Sequence, residues 1–225
     1  MSNEIIKMKA SYLKMLPLFG VVGAVCYFLH VIIGNIFNPD YNPMAQAISD
    51  LTAQNSPSRN IALPFSFLYG IFTTIFSIYF FAIIKQKINK FVTFGSAVFF
   101  AMTIVSFFGY TFFPLSEPGY AATFKDKMHL LVTAIVVAFT IISLILFSIG
   151  FSRTKLTKHL AIISLSTLLL IFAGAISINL LPNQYFGIAQ RIAAFPIVIY
   201  TGILSVWVFL NNRITPNYGT DVLLK

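Results

Sequence analysis

Seven ionisable or amide side chains lie inside long apolar stretches or in the segments beside them, where polar groups are rare and costly. They are His30, Asn35, Asp50, Asp126, His129, Asn179 and Arg191. Within this set, Arg191 and His129 could contact the phosphate or carboxylate of a lipid head group or of another polar ligand. The set therefore predicts a ligand-binding site if the fold brings these residues to one place.

Two other interpretations of the same residues stay open. In one, His30, His129 and Asp126 hold a metal ion that activates water for hydrolysis, although the sequence has no His-x-x-x-His or His-Glu-x-x-His pair. In the other, the carboxylates cap helices or pair with nearby cations, and His30 hydrogen-bonds to a neighbouring helix. Because phosphate loops, Gly-x-Ser-x-Gly elbows and cysteine pairs are also missing, we expect no cofactor.

The composition indicates that lipid surrounds most of the chain. Of its 225 residues, 58% are hydrophobic and 9% are charged, whereas soluble domains have about 25% charged residues. Six apolar stretches have about 20 residues or more, which suffices to cross a hydrocarbon core of about 30 Å. They cover residues 15–37, 60–84, 91–113, 128–150, 160–181 and 187–210. We therefore predict one all-α integral membrane domain, a bundle of six transmembrane helices.

Basic residues are distributed unequally between the segments that join these stretches. The N-terminal segment, the turns 85–90 and 153–159, and the C-terminal tail carry eleven of the fifteen Lys and Arg residues and two of the six Asp and Glu residues. The other loops carry four basic and four acidic residues. Since Lys and Arg mark the cytoplasmic side, we predict that both termini are cytoplasmic, in the multi-pass arrangement of a prokaryotic cell membrane. The net charge of +9 then reflects topology, and we expect no nucleic acid partner.

The first outward loop, residues 38–59, contains four apolar residues at the i, i+3, i+4, i+7 spacing of one helix face. They are Met44, Ala47, Ile48 and Leu51. This spacing predicts a short amphipathic helix on the outer membrane surface. The alternative is an irregular loop closed by a turn at Ser56-Pro57-Ser58.

Small and hydroxyl residues recur at spacings of three and four along most of the apolar stretches, which indicates the face that packs against neighbouring helices. In the first stretch these residues are Gly20, Gly23, Tyr27, His30 and Gly34. His30 lies about 10 Å from the outward end of its stretch. An ionisable side chain at that depth is expected to face the interior of the bundle.

The first loop resembles that of a known family. Asn42-Pro43, Ile48-Ser49-Asp50-Leu51 and the following Pro57 are similar to the prokaryotic membrane family called domain of unknown function nine-nine-eight. The resemblance implies a six-helix layout over most of the chain. The Ile-Ser-Asp element is more distantly similar to that of the damage-regulated autophagy modulators, although Ser58 stands where their Glu is expected. That second resemblance implies a role at lipids.

These observations support a leading functional hypothesis and two alternatives. In the leading hypothesis, a polytopic membrane protein uses an outward-facing polar pocket to recognise a lipid or small amphiphile, for binding, sensing or transport. The alternatives are a membrane-embedded hydrolase or transferase that acts on a lipid head group, and a structural subunit of a membrane complex. The expected partners are membrane lipids and a small amphiphilic ligand.

Overall fold

In the computed structural model, which describes residues 15–85, 87–120 and 122–211, α-helices make up most of the chain. The helices are α1 (Phe19–Ile36), α2 (Arg59–Ile84), α3 (Lys90–Phe112), α4 (Phe124–Ser152), α5 (Lys158–Leu180) and α6 (Phe186–Leu210). All six are long and apolar enough to cross a membrane. Within the described ranges no strand is present, so the predicted all-α, six-helix architecture is confirmed.

Helix α4 begins before the apolar stretch that was predicted from residue 128. Its first turn is polar, and a capping box stabilises it. The Thr123 hydroxyl accepts a hydrogen bond from the Asp126 amide at 3.3 Å, and the Asp126 carboxylate accepts one from the Thr123 amide at 3.0 Å. Hydropathy alone does not detect this first turn, because the residues that cap the helix are polar.

The two ends of the bundle carry different connections. We call the end with segments 37–58, 113–123 and 181–185 the loop end, and the end with segments 85–89 and 153–157 the turn end. Six of the basic residues that predict the orientation lie at the turn end: Lys85, Lys87, Lys90, Arg153, Lys155 and Lys158. The charged residues of the N-terminal and C-terminal segments lie outside the described residues: Glu4, Lys7, Lys9, Lys14, Arg213, Asp221 and Lys225. The cytoplasmic placement of the turn end therefore stays a prediction.

The helices form a closed ring. Each helix packs against the next one in the chain, and α6 packs against α1. At this closure, the Ser205 hydroxyl donates a hydrogen bond to the Pro17 carbonyl at 2.5 Å and accepts one from the Val21 amide at 3.1 Å. Helices α5 and α6 meet at their backbones, since a Cβ added to Gly174 would lie 2.8 Å from the Ala189 carbonyl oxygen.

Large apolar side chains fill only the half of the ring nearest the turn end. This core lies in the turn-end halves of α2 to α6 or close to their middles, and comprises Phe76, Phe80, Ile84, Val92, Phe99, Met102, Leu144, Phe147, Phe151, Leu160, Ala161, Leu168, Ile171, Tyr200, Leu204, Trp207 and Val208. In the loop-end half, the buried apolar side chains of the described helices are small ones, Ala62, Val132 and Ala189. The buried histidine and carboxylate side chains of the described α-helices, His30, Asp126 and His129, all lie in the loop-end half.

The first loop differs from the predicted amphipathic helix. It forms a short 3-10 helix, Ile48–Thr52, and its apolar residues point into the protein. Leu51 is fully buried and packs over Gly34, whereas Met44 is exposed. The turn at residues 56–58 closes the loop, because the Ser58 hydroxyl donates to the Leu51 carbonyl at 2.9 Å.

Cysteine labelling tests the predicted orientation. In a chain with Cys26→Ala, the substitutions Gln54→Cys and His159→Cys each place one exposed thiol, at the loop end and the turn end respectively. A membrane-impermeant maleimide should label Gln54→Cys in intact bacterial cells and His159→Cys only after the cells are opened. The reverse pattern would overturn the orientation that the basic residues predict.

Gly174→Ala should destabilise the protein by about 1–3 kcal/mol, because the added methyl group meets the α6 backbone. Gly202→Ala is the matched control, since the nearest atom to its new methyl group is the Ala24 Cβ at 3.6 Å. The unfolding temperature can be followed through the exposure of the Cys26 thiol, because Cys26 is the single cysteine and is buried in the folded protein. Equal unfolding temperatures for both variants would contradict backbone contact between α5 and α6.

Candidate functional site

Asp50 joins the first loop to the second. One carboxylate oxygen accepts a hydrogen bond from the Ala47 amide at 3.1 Å, and the other accepts one from the Gly119 amide at 3.1 Å. Gly119 has a φ of +81°, a conformation that favours glycine. Burial raises the pKa of the Asp50 carboxyl above its ordinary value, while the two amides and the charge of His129 oppose that rise.

Asp126 and His129 attach the second loop to α4. The Asp126 carboxylate is fully buried and accepts hydrogen bonds from the amides of Ser116 at 2.7 Å and Thr123 at 3.0 Å. His129 Nδ1 lies 2.9 Å from the Phe113 carbonyl oxygen. Since a carbonyl can only accept, that nitrogen carries a proton and donates it. The side chains of Asp126 and His129 therefore both bind backbone groups of the second loop.

Arg191 holds the first loop against α6. Its Nη1 donates to the carbonyls of Gln46 at 3.2 Å and Gly187 at 2.8 Å, and its Nη2 donates to the Tyr41 hydroxyl at 2.5 Å. The Tyr41 hydroxyl in turn donates to the Ala47 carbonyl at 2.9 Å. All three acceptors of Arg191 are neutral oxygens, so no carboxylate of the described residues compensates its charge.

His30 lies inside the bundle with 3% of its surface exposed, and neither of its ring nitrogens has a hydrogen-bond partner. Its ring meets that of Tyr27 at 5.7 Å, and Tyr27 meets Tyr69 at 4.9 Å. Nearby, the Tyr110 and His129 rings are 4.8 Å apart. We call these five residues the tyrosine layer, because they lie between the loops and the apolar core.

Asn35 and Asn179 lie apart from these contacts. Both are exposed, and the Asn179 amide donates to the Ala175 carbonyl of its own helix at 3.0 Å. In the parts of the chain that the structure describes, no three His, Cys, Asp or Glu side chains come close enough to hold a metal ion. The described residues therefore include no cluster of ligands that would support the metal interpretation of His30, His129 and Asp126.

The sequence did not predict Tyr41, Gln190 or Tyr69 as site residues. Gln190 accepts a hydrogen bond from the Ile48 amide at 2.8 Å and so helps to attach the first loop to α6. A signal existed for Tyr69, since Ser66, Tyr69 and Thr73 continue the spacing of three and four. That spacing does not mark Tyr41, which binds the Arg191 side chain and the nearby Ala47 carbonyl, or Gln190, which binds the distant Ile48 amide.

An apolar groove of about 520 Å³ follows the surface between α5 and α6. Arg191 lines its loop end, and Phe195 and Pro196 line its middle. Leu170 and Ile199, two of its other lining residues, are each 49% exposed. The groove therefore faces outward from the ring, and in a membrane it faces lipid.

A family profile described as Protein of unknown function (DUF998) matches residues 21–207, a segment that contains all seven predicted site residues. No curated protein and no solved structure matches the chain, so the resemblance to the autophagy modulators stays a prediction. Because the profile spans α2 to α5 completely and most of α1 and α6, the chain belongs to this uncharacterised membrane family, DUF998.

Proposed function

We propose that this membrane protein recognises a lipid or small amphiphile with an anionic head group, which binds Arg191 while its chain occupies the α5–α6 groove. The observation that carries the proposal is the charge of Arg191, which binds three neutral oxygens. Charge-assisted hydrogen bonds to phosphate or carboxylate are among the strongest that a guanidinium forms. An anion at this position would neutralise the charge of Arg191.

Arg191 has donors available for such a ligand. A guanidinium carries five N–H groups, and its three hydrogen bonds to protein oxygens occupy three of them. Of the four carboxylates at the same end, Asp40 is exposed and the other three are engaged elsewhere. Asp50 and Asp126 each accept two backbone hydrogen bonds, and Glu117 accepts one from the Asn55 side chain. The two remaining donors of Arg191 are therefore available to an external anion.

The groove supplies the apolar part of the same site. Its volume of about 520 Å³ lies in the range of about 300–1,000 Å³ typical of small-molecule sites. Arg191 lines the groove directly, so one amphiphile can contact the guanidinium with its head and the isoleucine side chains with its chain. Basic pockets between membrane helices bind lipid phosphates by this combination.

The position of Arg191 also connects the ligand to the first loop. The guanidinium that would contact the head group also binds Gln46 and Tyr41 of that loop. A bound anion would hold Arg191 in place and thereby stabilise the loop, which is the property that a sensor requires. The alternatives of a head-group hydrolase or transferase and of a structural subunit stay predictions, and no described contact favours them.

Arg191→Gln should reduce the retention of phosphatidylglycerol about 10- to 100-fold, since a hydrogen bond to a charged group contributes about 1.5–3 kcal/mol. Native mass spectrometry of protein released from mixed phosphatidylglycerol and phosphatidylcholine nanodiscs measures this retention. Arg59→Gln is the matched control, because Arg59 lies at the same end and donates to the Thr52 carbonyl at 2.7 Å but does not line the groove.

A second variant separates loss of the head-group contact from disturbance of the first loop. Ile199→Trp places a large side chain in the groove and leaves Arg191 unchanged, so it should also reduce phosphatidylglycerol retention. The proposal fails if the Arg191→Gln protein retains phosphatidylglycerol as the parent does, or if the parent retains phosphatidylcholine equally well.

A further inference from the structure

We infer that the tyrosine layer contains a second binding site, centred on His30, for an uncharged group that carries hydroxyl oxygens. This site goes beyond the proposed function. It lies inside the ring, whereas the α5–α6 groove lies on the outside, and its polar side chains, His30, Tyr27 and Tyr69, do not line the groove. Its ligand class differs as well, because no charged side chain belongs to it.

His30 is the first observation. A neutral imidazole has one N–H donor and one acceptor nitrogen. Both nitrogens of His30 are buried and without a hydrogen-bond partner, and the side chain is 3% exposed. Buried polar groups are almost always hydrogen-bonded, and leaving one unpaired is costly. The imidazole of His30 is therefore free to bind a group that can both donate and accept.

Two tyrosines add polar groups at the same place. The Tyr27 ring packs against those of His30 and Tyr69, at 5.7 Å and 4.9 Å. Within the described residues, neither the Tyr27 nor the Tyr69 hydroxyl hydrogen-bonds to protein, and both side chains are partly exposed although they lie within the layer. By contrast, Tyr110 in the same layer donates to the Thr133 hydroxyl at 3.1 Å. Two phenols and one imidazole thus lack protein partners in one place.

The surroundings favour an uncharged ligand. The aromatic wall continues from Tyr27 to Phe195 at 6.3 Å and from Phe195 to Phe28 at 5.2 Å. A charged group among these rings would lose its hydration, and the side chains of Tyr27, Phe28 and Phe195 offer it no opposite charge. A hydroxyl group needs no counter-ion, and it can donate to the imidazole and accept from a phenol.

Phe195 connects this site with the groove. It lines the α5–α6 groove and also packs against Tyr27. The next residue, Pro196, has no amide hydrogen and removes one backbone hydrogen bond from α6 at this point. An acyl chain in the groove therefore lies two aromatic side chains, Phe195 and Tyr27, away from His30, and a hydroxyl head group on that chain would enter the ring beside them. A monoacylglycerol has this chemistry, and free glycerol has the head group alone.

The test is the unfolding temperature of the full chain in detergent, followed through the Cys26 thiol, with 1-monooleoylglycerol or with free glycerol at matched concentration. Monooleoylglycerol should raise the unfolding temperature of the parent protein by roughly 3 °C or more at saturation. A response to glycerol at the same concentration would identify the head group alone as sufficient. No response to either compound would overturn the inference.

His30→Leu should abolish the response and leave the ligand-free protein at least as stable as the parent, because leucine removes two unpaired nitrogens from the interior. His159→Leu is the matched control at an exposed histidine of the turn end and should keep the full response. An equal response in His30→Leu would overturn the site. Arg191→Gln should keep the response to monooleoylglycerol while losing phosphatidylglycerol, so this inference and the proposed function can fail separately.

Discussion

The hydrocarbon of a bilayer offers no hydrogen-bond partners, so a polar group that this chain carries into it needs a partner within the chain or in a bound ligand. The helices meet this requirement for their own backbones. The loops meet it by binding one another, as in the hydrogen bond of 2.8 Å from the Gln54 amide to the Leu115 carbonyl. The carboxylates of Asp50 and Asp126 serve the same purpose, because each accepts two backbone amides. As a result, the first two loops and the start of α6 form one connected layer over the ring.

This layer explains why the two halves of the bundle differ. At the turn end, short connections leave the helices close together, and phenylalanines such as Phe80 and Phe147 fill the ring. At the loop end, the covering loops supply polar partners, and the described helices bury only small apolar side chains there. The two proposed sites lie where internal satisfaction is incomplete. The guanidinium of Arg191 keeps two donors without a protein partner, and neither nitrogen of the His30 imidazole has one.

The helices and their buried faces could be predicted from the sequence, because hydropathy and spacing are local properties. Gly20, Gly23, His30 and Gly34 are all buried, as the spacing of small residues in α1 predicts. The contacts of Asp50 and Arg191 with distant backbone groups, the Gly119 amide and the Gln46 carbonyl, could not be predicted. Any residue type offers these groups, so side-chain identity carries no signal for them.

The first loop shows a second limit of sequence reasoning. The spacing of Ile48 and Leu51 indicates one apolar face, but an apolar face fits a membrane surface and a protein interior equally well. In the structure, that face covers Gly34 in α1. Asn35 illustrates the same limit. Its position along α1 can be predicted from the sequence, but the direction of its side chain, which is exposed, depends on how the helices close the ring.

Arg191 and the α5–α6 groove are proposed to form one site for an anionic amphiphile, and an experimental structure of the full chain in phosphatidylglycerol nanodiscs tests this most directly. We predict a lipid phosphate oxygen at about 3 Å from a guanidinium nitrogen of Arg191, with an acyl chain extending along α6 past Phe195 toward Ile199. A guanidinium paired with a carboxylate of the protein, or a groove covered by another protein segment, would contradict it.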